Sequence, residues 1–304
     1  MKLIKPSFEI WEQPSGLEGV YKQIEGAGRV CYKSEDKIAE GTAKAFVDRM
    51  IASGHGAMLE HGTVYLKCET EVINRYIHPE DGEEEDFNKL EKYEYNSYSV
   101  TNDDGIYLYV TTNLRVLVEG NCLRDLEYLC EPTEYHEKRI TVKFICDRGV
   151  SHEFVRHRVF SFAQESTRYC NYSKDKFDSE CTFIIPCWLN IVEGSYTLED
   201  VEEKYDRCLI TDSGKGITNE AAEYIRSLIY SEKTYFSLLD RNWRPQQARA
   251  VLPNSLKTEL VMTGFVSDWK HFFELRCSSS AHPQARELAI PLQEEFIARG
   301  YINN

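Results

Sequence analysis

The stretch RHRVFSFAQESTRY, from Arg156 to Tyr169, sets arginine, histidine and arginine side by side in a chain of net charge −14. Adjacent like charges repel, so these residues either gather an anionic ligand or lie in water. On a helix, successive residues turn by about 100°, and Arg156, His157 and Arg158 would fan out towards more than one ligand. On a strand, the two arginines would share one face and His157 would oppose them.

Short polar side chains follow the three basic residues. We expect Ser161, Gln164, Ser166 and Thr167 to lie in a loop. Hydroxyls and backbone N–H groups suit a phosphate, and the guanidinium of Arg168 can add a bidentate charge. The alternative is an exposed basic turn whose surface ion pairs contribute little to stability.

Strand and helix patterns surround this stretch. RITVKFIC predicts a strand with Ile140, Val142 and Phe144 on one face, and RGVSHEFVRH predicts a short helix that leads into the motif. Further helices are predicted for GTAKAFVDRMIASGH, the end of GIYLYVTTNLRVLVE, TNEAAEYIRSLIYSEKTYFSLLD, PQQARAVLP, SDWKHFFELRC with Ser267 as N-cap, and the C-terminal segment; further strands are predicted for MKLIKPSFEIWEQ, MLEHGTVYLKCE and GIYLYV. We therefore predict one α+β domain over residues 1–304, with a central, mostly antiparallel sheet packed by long helices.

The acidic residues are concentrated in one run. Residues 79–94, PEDGEEEDFNKLEKYE, contain eight acids and two lysines, which predicts a solvated insertion. The overall negative charge argues against a general nucleic-acid or anionic-membrane binder, which would need a broad basic surface. No stretch approaches the roughly 20 apolar residues of a membrane helix, and no N-terminal run resembles a signal peptide.

The ten cysteines contain no CxxC pair and match no zinc spacing. We interpret them as reduced thiols of a cytoplasmic protein, with Cys187 as a buried structural thiol. HEFVRH has one residue more than the zinc motif HExxH, so His152 and His157 would point about 140° apart on a helix. No metal site is predicted.

Two other arginines stand out. Arg249 lies on a short helical turn between Pro245 and Pro253, where the simplest alternative is a surface arginine. Arg276 follows the apolar face of the SDWKHFFELRC helix. A cation there must extend to solvent, meet the helix C-terminal dipole or pair with an anion.

The basic stretch resembles the signature of the flavin-dependent thymidylate synthases, in which Arg-His-Arg is followed after seven residues by serine. Arg156, His157, Arg158 and Ser166 match this signature. GHGAMLEH and ARAVLPNSLKTELVMTGFVSDWKHFFELRC resemble two further blocks of the family, in the same order. The three blocks cover about 90 residues, and their order is more specific than any single motif.

The resemblance implies that the chain makes dTMP from dUMP, with 5,10-methylenetetrahydrofolate as carbon donor, FAD as redox cofactor and NADPH as reductant. It also implies a homotetramer whose active sites are shared between subunits. The implied dUMP contacts are Glu153, Arg156, Gln164, Ser166, Thr167, Arg168, Arg249 and Arg276. The implied FAD contacts are His55, Ala57, Glu60, Arg156, His157, Arg158, Gln164, Val266, Ser267 and His271.

Within this set, Arg276 is the expected catalytic residue, because a guanidinium can stabilise negative charge that develops on the pyrimidine. Arg156 would touch both dUMP and FAD. Gln164, Ser166, Thr167 and Arg168 would hold the phosphate side of dUMP in a neighbouring subunit.

The chain also departs from the family pattern. Ala163 and Gln164 stand where asparagine and glutamate are usual, Phe265 replaces a flavin-contacting asparagine, and Ser280 replaces a frequent histidine. An insertion between about residues 67 and 138 has no counterpart in shorter members. Two alternatives therefore stay open: a nucleotide-binding module without turnover, and a metallohydrolase built around the histidines.

Overall fold

The computed structural model describes residues 1–69, 90–174, 177, 179–202 and 219–303. The strands are β1 (Lys2–Ile4), β2 (Ser7–Trp11), β3 (Thr63–Glu69), β4 (Val100–Asp103), β5 (Tyr107–Asn113), β6 (Arg139–Asp147), β7 (Ser161–Gln164), β8 (Thr182–Ile184), β9 (Gly194–Ser195) and β10 (Lys257–Phe265). The α-helices are α1 (Gly16–Tyr32), α2 (Thr42–Ala52), α3 (Gly56–Leu59), α4 (Leu114–Glu119), α5 (Arg148–Phe154), α6 (Leu198–Glu202), α7 (Asn219–Asp240), α8 (Pro245–Ala248), α9 (Val266–Arg276) and α10 (Pro283–Ala298).

Strand β10 lies inside an antiparallel sheet in the order β2-β6-β10-β7. It pairs with β6 along its whole length, from Lys257 opposite Asp147 to Phe265 opposite Arg139. On its other side it pairs with β7, the strand that follows the Arg-His-Arg residues. This sheet therefore brings the motif beside the strand that leads into α9.

Alternate residues of β10 face two different hydrophobic cores. Leu260 and Met262 pack with the fully buried Trp269 and Phe272 in a core that includes residues of α5, α9 and α10. Val261 points the other way, into a core formed with α1, α2, β3 and β5. Both faces of β10 are buried, so the polar residues Thr258, Glu259 and Thr263 are buried along with the apolar ones.

Two further sheets accompany this one. β3, β5 and β4 form an antiparallel sheet, while β1 lies between β8, to which it is parallel, and β9. A third core lies under α7 and α8 and includes Leu3 of β1. The predicted α+β class with antiparallel sheets is confirmed, but the strands belong to several sheets instead of one central sheet.

The N-terminal segment, predicted as one strand, forms two strands in different sheets. The break falls at Lys5 and Pro6, where proline has no N–H to donate to a ladder. The helix α1 was not predicted from the sequence. Its segment GLEGVYKQIEGAGRVCY contains four glycines, which lower helix propensity. In the native fold Gly28 lies against the ring of Phe46, where a Cβ would approach to 2.4 Å.

Most of the acidic run, residues 79–89, lies outside the described residues. Its described end was predicted to be solvated, yet Leu90 and Tyr93 are buried in the same core as Leu108 of β5. Apolar side chains within a charged run can thus anchor it to the core. The insertion limits of 67–138 and the single domain over 1–304 stay predictions.

The remaining helix predictions are largely confirmed. α2 ends before Gly54, whose φ of 69° suits glycine at the helix C-terminus. α10 runs through Pro291. Ser267 was wrongly predicted as the N-cap of α9: the helix starts directly after β10, and the Asp268 carboxylate accepts a hydrogen bond from the backbone N–H of Phe265. None of the helices described has both the length and the apolar character that crossing a membrane requires.

Candidate active site

The Arg-His-Arg residues lie in turns between α5 and β7, so neither the helical nor the strand alternative holds in full. Arg156 and Arg158 are exposed, whereas His157 is 7% exposed. Neither arginine makes an ion pair or a side-chain hydrogen bond with any residue that the structure describes. Two unpaired cations therefore flank a buried imidazole.

The polar residues after the motif do not all lie in a loop as predicted. Ser161 and Gln164 belong to β7, which pairs with Thr263 and Leu260 of β10. The four residues SFAQ are too short a segment and do not alternate between polar and apolar, so no strand was predicted here. Ser166 and the residues after it do lie in a turn.

Arg276, at the end of α9, joins the motif to α5. Its Nε donates a hydrogen bond to Nε2 of His157 at 2.9 Å. Its Nη2 donates to the backbone oxygen of Glu153 at 2.6 Å, and its Nη1 makes an ion pair with the Glu153 carboxylate. Of the three possibilities for this cation, pairing with an anion is the one observed.

The imidazole of His157 is held in its neutral form. Burial, followed by the positive charge of Arg276 and the neighbouring His271, lowers the pKa of His157 to about 4. Since Nε2 accepts from Arg276, the ring proton of the neutral form belongs on Nδ1. The histidine is thus an acceptor for the arginine and does not add a second charge.

Aromatic packing fixes the position of this group. The His157 ring lies 5.0 Å from that of Phe272, and the Phe160 ring lies 4.7 Å from that of Trp269. Phe160 also packs against Gly264 of β10, where a Cβ would come within 2.6 Å of the ring. Only glycine permits this close approach, so the turn is held directly against β10.

A second polar group contains the residues predicted to hold the dUMP phosphate. Arg249 Nη1 donates to Oγ1 of Thr167 at 2.8 Å. The backbone N–H of Ser166 donates to the carbonyl of Cys31 at 3.1 Å, which ties the turn to the end of α1. Arg168 is exposed and lies over the ring of Tyr169. Among the described residues, no hydrogen bond or ion pair joins this group to Arg276.

Gln164 stands at the position where the family usually has a glutamate, so its side chain is an amide instead of a carboxylate. Its Nε2 donates to Oγ of Ser151 at 2.8 Å and to Oγ1 of Thr258 at 3.2 Å. A carboxylate could not donate these hydrogen bonds. The amide therefore links β7 to α5 and β10 through neutral partners.

The neighbouring Glu165 points into the protein and belongs to an ion-pair network. It is 2% exposed and pairs with Lys257, which also pairs with Glu259. Burial alone would raise the pKa of Glu259, but Lys257, Lys33 and Lys143 hold it well below its usual range. This network attaches the turn after β7 to β10.

The residues predicted to contact FAD lie in several places. His55 is exposed and its Nδ1 lies 3.1 Å from the hydroxyl of Tyr32, while Ala57 is exposed on α3. Glu60 makes an ion pair with Arg115. His271 is exposed on α9, with its ring 6.3 Å from that of His157. Of these four residues, His271 lies beside the Arg276 group, to which the predicted FAD contact His157 also belongs.

The N-terminus of α9 carries Val266 and Ser267. The backbone N–H of Ser267 donates to Oε1 of Glu137 at 3.0 Å. This contact was not predicted, because Glu137 lies far away in the sequence and only the docking of the residues before β6 brings it to α9.

Arg139, the first residue of β6, was also missed. Its guanidinium donates to the backbone oxygen of Glu60 at 3.0 Å and to Oγ of Ser161 at 3.2 Å, and lies 5.5 Å from the Phe265 ring. A single charged residue at the start of an alternating strand gives no sequence signal for such a role.

The expected buried position of Cys187 is wrong: this thiol is exposed. It sits in a turn after β8, at the edge of the third core, where the chain returns to the surface. Within the described part of the chain, no group of three or more histidine, cysteine, aspartate or glutamate side chains is arranged to hold a metal ion.

Comparison with known proteins identifies the family. The family model described as thymidylate synthase complementing protein matches residues 133–299, more than half of the chain. The chain belongs to this family. The resemblance inferred from the three sequence blocks is thus confirmed.

The chain is similar to curated flavin-dependent thymidylate synthases. It is 25% identical to that of Corynebacterium aurimucosum over 282 residues, covering 92% of this chain and 77% of the relative. It is 31% identical to that of Corynebacterium efficiens over 149 residues, covering 49% and 53%. It is 29% identical to that of Pyrococcus furiosus over 154 residues, covering 51% and 52%. The alignments with the last two thus span about half the length of those relatives.

Among solved structures, the chain can be aligned with a UMP/dUMP methylase of Streptomyces cacaoi bound with 5-Br dUMP. The sequences are 15% identical, and the alignment covers 98% of this chain and 93% of the methylase with a TM-score of 0.41. A TM-score of this size is too low to establish a shared fold.

Proposed function

We propose that the chain is a thymidylate synthase that converts dUMP to dTMP, with FAD as redox cofactor, 5,10-methylenetetrahydrofolate as carbon donor and NADPH as reductant. The observation that carries the proposal is the arrangement around His157. Arg156 and Arg158 flank it with no protein partner among the described residues, and Arg276 donates to it from the end of α9. Family membership and the names of the relatives support the same reaction.

The residues present fit FAD. The cofactor carries two phosphates, and guanidinium groups bind phosphate by paired hydrogen bonds. Arg156 and Arg158 offer two exposed guanidinium groups whose donors are not used by described residues. When bound, FAD would supply the redox chemistry that no protein side chain offers. Arg156, His157 and Arg158 would hold it, together with the expected contacts on α3 and α9.

Arg276 is proposed to act on the pyrimidine of dUMP. A guanidinium has five N–H donors, and three serve His157 and Glu153. The remaining two can face a pyrimidine oxygen and stabilise the negative charge that develops when carbon 5 becomes nucleophilic. Glu153 and His157 fix the guanidinium before the substrate arrives, so little reorganisation is needed.

The phosphate side of dUMP is proposed to bind at Gln164, Ser166, Thr167 and Arg168. These residues make no described contact with the Arg276 group of the same chain. The bound substrate would connect the two groups. The homotetramer with shared active sites follows from the family resemblance and stays a proposal.

The test uses the purified protein in four mixtures. The complete mixture contains dUMP, the folate and NADPH. Of the three control mixtures, one lacks the folate, one lacks NADPH and one contains UMP instead of dUMP. We expect a yellow protein with the absorption bands of bound FAD, and release of the carbon-5 hydrogen of dUMP in the complete mixture. A colourless protein that binds no added FAD would exclude the proposal. Binding of dUMP without NADPH oxidation would favour the non-catalytic module, and one equivalent of bound zinc would favour the metallohydrolase.

A further inference from the structure

Arg139 is placed where three separate segments meet. Its guanidinium donates three hydrogen bonds. Nη1 donates to the Glu60 backbone oxygen at 3.0 Å and to Thr63 Oγ1 at 3.4 Å, and Nη2 donates to Ser161 Oγ at 3.2 Å. One cation therefore connects the end of α3, the start of β3 and the start of β7. All three acceptors are neutral.

The positive charge of Arg139 has no paired carboxylate among the described residues. The two carboxylates whose charges act on Arg139 are otherwise engaged: Glu60 pairs with Arg115, and Asp268 accepts the hydrogen bond from Phe265. The Nε of Arg139 is shielded from solvent and has no acceptor in the described part of the chain. A shielded charge without a counter-ion is costly, so a ligand that supplies negative charge would be favoured here.

Burial also changes the pKa of the Arg139 guanidinium. It lowers the pKa of Arg139 to about 10, although Tyr65, Glu60 and Asp268 act in the opposite direction. The guanidinium is still charged at neutral pH. It is therefore a permanent positive charge in a region of low polarity, where its field is weakly screened.

The position of this charge coincides with the residues expected to contact FAD. Arg139 hydrogen-bonds Glu60 itself, and it stands opposite Phe265, the residue that precedes Val266 and Ser267. It also holds Ser161, five residues after Arg156 in the motif. None of the family blocks includes Arg139, so the resemblance assigns it no role.

We propose that Arg139 is a positioning residue of the FAD site whose unpaired charge favours the reduced cofactor over the oxidised one. This rests on the proposed function. Transfer of a hydride from NADPH to bound FAD would add two electrons and one proton and give an anion, and the nicotinamide would leave as a cation. A fixed positive charge nearby stabilises the anion and leaves the neutral oxidised ring unaffected.

The experiment measures the midpoint potential of bound FAD in native protein and in variants. Arg139→Met keeps the apolar stem but removes the charge, and Arg139→Lys keeps the charge with fewer donors. Arg226→Gln, on the distant helix α7, is the matched control because it removes an arginine charge that pairs with Glu223. Flavin content and thermal unfolding are recorded for each variant.

In Arg139→Met we expect the preference for reduced over oxidised FAD to fall about tenfold, or about 30 mV for a two-electron couple. Arg139→Lys should keep most of the native potential, and Arg226→Gln should keep all of it. An unchanged potential in Arg139→Met would overturn the inference. Equal losses in the Met and Lys variants would also overturn it, because they would indicate a packing role.

Native protein provides a second measurement if the Met variant does not fold. Bound reduced FAD should keep the ultraviolet spectrum of the anion at a pH where free reduced FAD is already neutral. A neutral spectrum there would contradict the inference. Failure of native protein to bind FAD at all would instead reject the proposed function, so the two failures are distinguishable.

Discussion

Arg276 and His157 form a 2.9 Å hydrogen bond in which the guanidinium is the donor and a neutral imidazole is the acceptor. The two residues are 119 positions apart in the sequence. The cation and the ring determine each other's state: Arg276 helps to keep His157 neutral, and neutral His157 leaves Arg276 as the positive charge of the pair. A charged histidine would repel the guanidinium and disturb its alignment.

Replacing Arg276 with alanine should reduce turnover of dUMP by about 10²–10³-fold, the usual effect of removing a group that stabilises developing charge. FAD should remain bound, because the expected flavin contacts Arg156 and Arg158 are unaffected. Hydrogen release from carbon 5 of dUMP gives the first quantity, and the flavin absorbance of the purified variant gives the second. Loss of FAD with normal turnover per bound FAD would contradict the assigned role.

Replacing Arg158 with glutamine should weaken FAD binding by about ten- to a hundredfold, since a hydrogen bond to a charged group is lost. The melting temperature of the FAD-free protein should not change, because Arg158 has no partner among the described residues. Arg241→Gln, which removes another exposed arginine at the end of α7, is the control. If both variants bind FAD equally well, Arg158 is not a flavin contact.

Acidification should destabilise the fold partly through His157. Its pKa of about 4 in the folded state lies below the value of 6.5 expected when unfolded, so the unfolded chain binds more protons. Stability that is present above pH 6.5 should therefore be lost as the pH falls towards 4. Chemical unfolding of the FAD-free His157→Gln variant should show a smaller loss over this range. An identical pH profile would show that the imidazole is not held neutral.

Glu287 on α10 should have the opposite dependence on pH. Burial, reinforced by nearby Asp147, raises the pKa of Glu287 to about 7, and its Oε1 has no partner among described residues. The folded state binds the proton more tightly, so stability present below pH 4.5 is lost as the pH rises through 7. Glu287→Gln should therefore raise the melting temperature more at pH 8.5 than at pH 5. A gain that is the same at both values would refute this.

Local sequence patterns correctly predicted helices whose apolar residues repeat at helical spacing. The apolar stripe of α7 and the buried aromatic residues of α9 repeat at helical spacing, and both helices occur where predicted. α1 was missed since its glycines obscure the pattern, and β7 was missed because its pairing with β10 makes it a strand. Long-range pairing is the information that a short pattern lacks.

The same limit applies to the site. Motif residues such as Arg156 and Arg276 could be selected from the sequence because residue type and order carry the signal. Arg139 and Glu137 could not, since their partners Ser161 and Ser267 come close only through the pairing of β6 with β10 and the docking of α9. The resemblance predicted which side chains matter, and the fold adds those that hold them.

The nine residues of β10 set a fixed spacing between two parts of the site. At about 3.4 Å per residue, the strand separates Thr258, the partner of Gln164, from the start of the helix that ends in Arg276. Adding or deleting one residue in β10 would exchange its two buried faces and shift both partners. A change in the length of β10 should therefore disrupt the site even when every residue named in it is kept.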